Sequence, residues 1–184
     1  DFVGLYDEAS EYLIDNATII NESIKNSIIL AQANSASQEG KQELAYSLYK
    51  HIIKNSTTDY ANLAWAYSGL AATLGDMNPD MVSYKEKAAD YFLLCGKKKQ
   101  YANCKVRLAD ILKGIDPHRA IKMLDDAISI FDNSNDLERD YITSLKLTKA
   151  KIYDYMGLHD RAFNEIKNEI DVNRLNNYFG NEAQ

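Results

Sequence analysis

The chain has little that would break a helix. Among 184 residues there are two prolines and eight glycines. So small a supply of breakers excludes a fold of many short strands and favours long helices. Cysteine is equally scarce: Cys95 and Cys104, without the CxxC spacing of a metal-ligand pair. Both read as small buried hydrophobes in a reduced, cytoplasmic chain, with a bridge between adjacent helices as the alternative. Positive charge is also short. The formal charge is −6, and the only basic run, Lys97-Lys98-Lys99, falls at an expected turn. A nucleic-acid partner needs a basic stripe, so none is expected. The longest aliphatic run, Ile28 to Ala31, is far below a membrane span, so no integral membrane segment is expected. There is no secretory leader pattern, and a start at Asp1 rather than methionine suits a piece of a longer protein.

Groupings that carry chemistry are missing as well. His51, His118 and His159 have no second ligand at i+4, which argues against zinc. The glycines are dispersed, and Gly40, Gly75, Gly96, Gly114 and Gly157 fall at expected helix ends instead of in a phosphate loop. Carboxylate pairs such as Asp125-Asp126 lie on expected solvated faces. The chain therefore reads as no enzyme, with no metal and no cofactor.

What is present is helical periodicity. A first stripe runs from Leu5 to Ala17. A second, Ile19 to Gln38, places Ile20, Ile24, Ile28, Ala31 and Ser35 on one face, and Gly40 ends it. Leu44, Ala45, Leu48, Tyr49, Ile52 and Ile53 form the next amphipathic helix. After a polar break at 55–59, Tyr60 to Leu74 is rich in alanine and holds the only tryptophan, Trp65. Asn78 and Asp116 each precede a proline and read as N-caps. Their helices bury Ala88, Ala89, Phe92 and Cys95, and Ala120, Ile121, Leu124, Ala127, Ile128 and Phe131. Between them, a helix from about Lys99 to Gly114 buries Ala102, Val106, Leu108, Ala109 and Leu112. The last pair runs from Leu137 to Met156 and from Asp160 to Val172, around Gly157.

These elements pair into four hairpins, at roughly 19–54, 58–96, 99–133 and 136–172, with caps or tails at 1–18 and 173–184 in a single domain. Val172, Leu175, Tyr178 and Phe179 are the expected cap of the last hairpin. The small residue opening each second helix recurs as Ala45, Ala88, Ala120 and Ala162, roughly 32 to 43 residues apart. Four positions on stand Tyr49, Phe92, Leu124 and Ile166, all large and apolar. A two-helix unit cannot bury both apolar faces alone, so it stacks on its neighbour.

Ala150, Tyr153, Gly157, Ala162 and Ile166 resemble the small and large packing residues of the tetratricopeptide (TPR) repeat. The resemblance covers about Ile19 to Ile170 and implies an all-α, right-handed α-solenoid of about four hairpins with terminal capping helices. A narrower stretch, Asp116 to Ile121 with Leu124, Ala127 and Ile128, resembles the soluble attachment (SNAP) proteins that couple SNARE bundles to their disassembly ATPase. Those proteins present basic faces, whereas this chain is acidic. Long-period repeats of bacterial regulators and signalling ATPases share the periodicity.

The TPR resemblance implies a protein-interaction scaffold or adaptor whose first helices line a concave face. It places there Leu30, Asn34 and Ser37; Asn103, Arg107, Asp110 and Lys113; and Ser144, Leu147, Lys151, Asp154 and Tyr155. Trp65 and Tyr67 are the candidates of the second hairpin. Tyr67, Tyr101 and Tyr155 fall off the apolar stripes, as tyrosines of a binding surface do. Leu30 and Val106 stand where a carboxylate clamp would favour cations. The expected ligand is therefore a helix or extended peptide of mixed polarity, anchored by Arg107 and Tyr155. The alternatives are contact through an edge or end face, a regulatory or ligand-sensing module of a larger signalling protein, and a SNAP-like trafficking adaptor.

Overall fold

The computed structural model describes residues 22–74, 78–132 and 135–167. The stripe at 5–17, Ile20 and the expected cap at 172–179 lie outside these residues. Within them the chain is all helical. In order, the helices are α1 (Glu22–Gln38), α2 (Gln42–Asn55), α3 (Tyr60–Leu74), α4 (Pro79–Leu94), α5 (Lys98–Leu112), α6 (Pro117–Ile128), α7 (Asp136–Tyr155) and α8 (His159–Ile166). None is long and apolar enough to cross a membrane. The chain forms two compact units that divide within α5, after Cys104.

The helix boundaries follow local chemistry. Asp59, Asn78 and Asp116 cap α3, α4 and α6, accepting hydrogen bonds from the backbone N–H of Asn62 (3.2 Å), Asp80 (2.9 Å) and Arg119 (2.9 Å). Helices α1, α4 and α7 stop at Gly40, Gly96 and Gly157, with φ of 77°, 73° and 75°. Only glycine enters that left-handed region without steric cost, and each closes a double turn such as Leu158 N–H to Tyr153 C=O (2.8 Å).

In the first unit α3 is the central helix, packing against α1, α2 and α4. Its core joins Leu30, Ala33 and Ala36 of α1, Ala45, Tyr49 and Ile52 of α2, and Ala66 and Leu70 of α3. Small residues sit where helix axes approach, and large ones fill the space between. Tyr49 is the keystone. Its ring lies across Gly69 of α3, where a Cβ would collide with it, and its hydroxyl donates to Asn34 Oδ1 of α1 (2.7 Å). Burial pushes that hydroxyl above its ordinary pKa and keeps it a donor. In the second unit α7 packs against α6 and α8, over a core including Leu124, Ala127, Leu145 and Ile152. Phe131, just beyond α6, meets the Tyr141 ring edge-on at 5.7 Å.

The repeat positions are buried in the first three hairpins: Ala45, Ala88 and Ala120, then Tyr49, Phe92 and Leu124. Ala162 and Ile166 are half-buried. Several expectations need correction. Leu44 of α2 is 49% exposed, Ile121 and Ile128 of α6 are only half-buried, and α8 stops at Ile166, short of the expected Val172. The inward face of α1 is Asn26, Leu30, Ala33 and Ala36, not Ile24, Ile28, Ala31 and Ser35; Ile24 is 52% exposed. Apolar residues are spread around α1, so periodicity alone supported two registers. Close packing onto α2 and α3 selects the one with small alanines. Cys95 is half-buried, with Sγ 3.5 Å from the Phe92 carbonyl, because it lies past the end of α4; Cys104 is buried, and neither forms a disulfide. Val106 is likewise half-buried, not part of the core stripe.

Gly69→Ala reverses the usual rule for a helix interior. Alanine has the better propensity, by about 1 kcal/mol, yet its methyl would overpack Tyr49 at a cost of about 1–3 kcal/mol. Thermal or urea unfolding should show a destabilised protein. Tyr49→Phe, which keeps the ring and removes the bond to Asn34, should cost about 1 kcal/mol.

Candidate functional site

The residues that the repeat register offers separate into exposed and buried groups. On α3, where seven of the fifteen residues are buried, Trp65 is 41% exposed. Its ring meets the buried Phe92 of α4 edge-on, with centroids 4.9 Å apart. The indole is thus packed against Phe92 while part of it faces outward. Asn34 on α1 is exposed, but its carbonyl oxygen is occupied by the Tyr49 hydroxyl, so its amide group is what it can offer.

Two candidates belong to the core. Leu30 is buried among α1, α2 and α3. Tyr67 is buried in a tyrosine ladder between α3 and α4, stacked on Tyr91 at 5.6 Å and 11° and tilted against Tyr84 at 6.0 Å. Tyr60 stacks on Tyr91 in turn at 5.9 Å. The four tyrosines stand seven apart in pairs, Tyr60 with Tyr67 and Tyr84 with Tyr91, a heptad spacing that aligns one face of each helix. Tyr101 is also buried. Tyrosines off the aliphatic stripe were expected at a surface, but ring stacking between helices consumes Tyr67.

Helices α5 and α7 present the remaining positions. Asn103, Arg107 and Asp110 of α5, and Lys151, Asp154 and Tyr155 of α7, are all exposed. In the second unit Lys113 Nζ stands 5.7 Å from the centre of the Tyr155 ring, which is 62% exposed. That contact draws together two candidates from different hairpins and gives the ring a cationic neighbour. Leu147 is exposed on the same helix. Asp154 is engaged by His159 Nδ1 at 2.7 Å across the Gly157 turn, both side chains exposed. Among the described residues no group of His, Cys, Asp and Glu could hold a metal ion.

Two features escaped the sequence reading. Lys149 is buried on α7 and pairs with Asp125 of α6 and Glu165 of α8, so Asp125 is not merely solvated. A visible signal existed: Lys149 occupies a core position in the series Ile142, Leu145, Lys149, Ile152. The second is a polar junction where α1 meets α3. Asn62, buried in the first turn of α3, donates from Nδ2 to Asp59 Oδ2 (2.7 Å) and to Ser23 C=O (3.0 Å). Beside it, Glu22, Ser23, Asp59, Tyr60 and Cys95 edge a cleft of about 410 Å³. Burial pushes the Asp59 carboxyl up. Hydrogen bonds from the Asn62 side chain and backbone, joined by Ser23, outweigh it and hold the carboxyl below its ordinary value.

A depressed folded pKa gives stability that is present above the ordinary carboxyl value of 3.8 and is lost as pH falls through the lower folded value. Asp59→Ala should therefore cost about 1 kcal/mol at neutral pH, as lost caps do. In denaturation curves run down the acid limb, the gap between wild type and variant should close. No family model matches the chain, and no curated protein matches it either.

Proposed function

We propose that the chain is a TPR-like helical-repeat module, a non-catalytic scaffold that holds a peptide or helix of a partner protein. Its first helices, α1, α3, α5 and α7, carry the contact residues. The observation that carries this reading is Trp65. Helix α3 packs on three neighbours, as the first helix of a stacked hairpin does, and still leaves an indole 41% exposed. A large aromatic packed on a buried ring and still partly exposed provides contact area at small entropic cost.

The second unit supports the reading with Arg107, Asp110, Lys151 and the Lys113–Tyr155 contact. Cations, a carboxylate and an aromatic ring together favour a ligand of mixed polarity over a purely acidic or apolar one. Asn103 and Asn34 add amide donors. Leu30 and Tyr67 have no part in binding, because both are needed in the core.

The test is affinity capture with quantitative mass spectrometry. The full chain is compared with Trp65→Ala and with the paired variant Arg107→Glu/Tyr155→Ala, each shown to melt as the wild type does. Loss of an anchor should reduce recovery of the partner about tenfold or more. Equal recovery by all three proteins would remove these faces from consideration.

A further inference from the structure

We propose that Lys149 is an ionic latch holding α8 on the second unit, so that removing its charge releases α8 while α6 and α7 stay folded. The argument starts from what α8 lacks. It packs against α7, yet none of its side chains is fully buried. Phe163 is 62% exposed, and Ala162 and Ile166 are only half-buried. Apolar contact alone holds an eight-residue helix weakly, and so short a helix has little stability of its own.

The polar contact is of another kind. Lys149 is 9% exposed and stands on the inward face of α7, near the fully buried Leu145 and Ile152. Its ammonium lies 2.6 Å from Asp125 Oδ1 and 2.9 Å from Glu165 Oε2. The Tyr153 ring, one turn on, has its centre 5.8 Å away. One cation thus ties three helices together. A buried charge is tolerated only when paired, so the two carboxylates are obligatory neighbours. The pairs are unequal: the Asp125 side chain is half exposed and solvent screens it, whereas the Glu165 side chain is largely covered. The contact holding α8 is therefore the less screened of the two, although the Asp125 contact is the shorter.

Burial pushes the Lys149 ammonium down, but Asp125 and Glu165 outweigh that and place it above the ordinary 10.5. The latch therefore stays charged at neutral pH and would open only above that value or when the amine itself is neutralised.

Hydrogen exchange on the full chain, read by mass spectrometry, tests the latch. In Lys149→Met and in Glu165→Gln the amides of α8 should exchange about tenfold faster or more, with α6 and α7 still protected. Lys149→Arg, which keeps the charge, should leave α8 closer to wild type. Unchanged α8 protection in Lys149→Met would overturn the proposal. If that variant loosens α6 and α7 as well, Glu165→Gln decides. It leaves the ammonium paired with Asp125, so selective loss of α8 protection upholds the latch. No change in α8, or loosening of the whole unit, overturns it.

Discussion

The first unit depends on the close approach of α2 and α3 at Tyr49. A phenol ring can lie across a helix only where that helix has no side chain, and Gly69 provides the gap. Once the ring is seated, its hydroxyl reaches Asn34, and three helices share one side chain. The alanines around it follow from the same constraint. Ala33, Ala45 and Ala66 are fully buried because larger groups would separate the helices that Tyr49 joins.

The second unit solves the same problem with charge. Its α7 carries a lysine where the apolar stripe would call for a hydrophobe, and the helices on either side supply carboxylates. Such an arrangement is expensive to desolvate, and its strength lies in specificity: the ammonium accepts neighbours only where a carboxylate can reach it. The two units thus contrast, one joined by a buried aromatic and a hydrogen bond, the other by an ion triad with an exposed outer helix.

The binding reading rests on the side chains these constraints leave outside. Trp65 is outward because the core of the first unit is filled by residues on the other sides of α3. Arg107, Asp110, Lys151 and Tyr155 are outward because Leu108, Leu112 and Ile152 take the inward positions of the same helices. Packing therefore selects the candidate surface by elimination.

The helices and most of their ends were legible in the sequence; α8, which stops at Ile166 instead of Val172, is the exception. Proline placement, caps at Asn78 and Asp116, and glycines after α1, α4 and α7 act within a few residues, so local pattern suffices to read them. The centres of the buried stripes of α2, α4 and α6 were legible too, because their apolar residues cluster on one side; the stripe edges, such as Leu44 and Cys95, were not. Helix α1 was not, because its apolar residues surround it and only the shape of α2 and α3 chooses between faces. Tyr67 could be assigned to the interior only with α4 in place, since its partners Tyr84 and Tyr91 lie on another helix. Lys149 likewise acquired a role only when α6 and α8 brought Asp125 and Glu165 to it. Backbone geometry is settled by neighbours in the chain, and local sequence determined it. Which side chains are buried, stacked or paired depends on groups distant in the chain, and tertiary packing decided that.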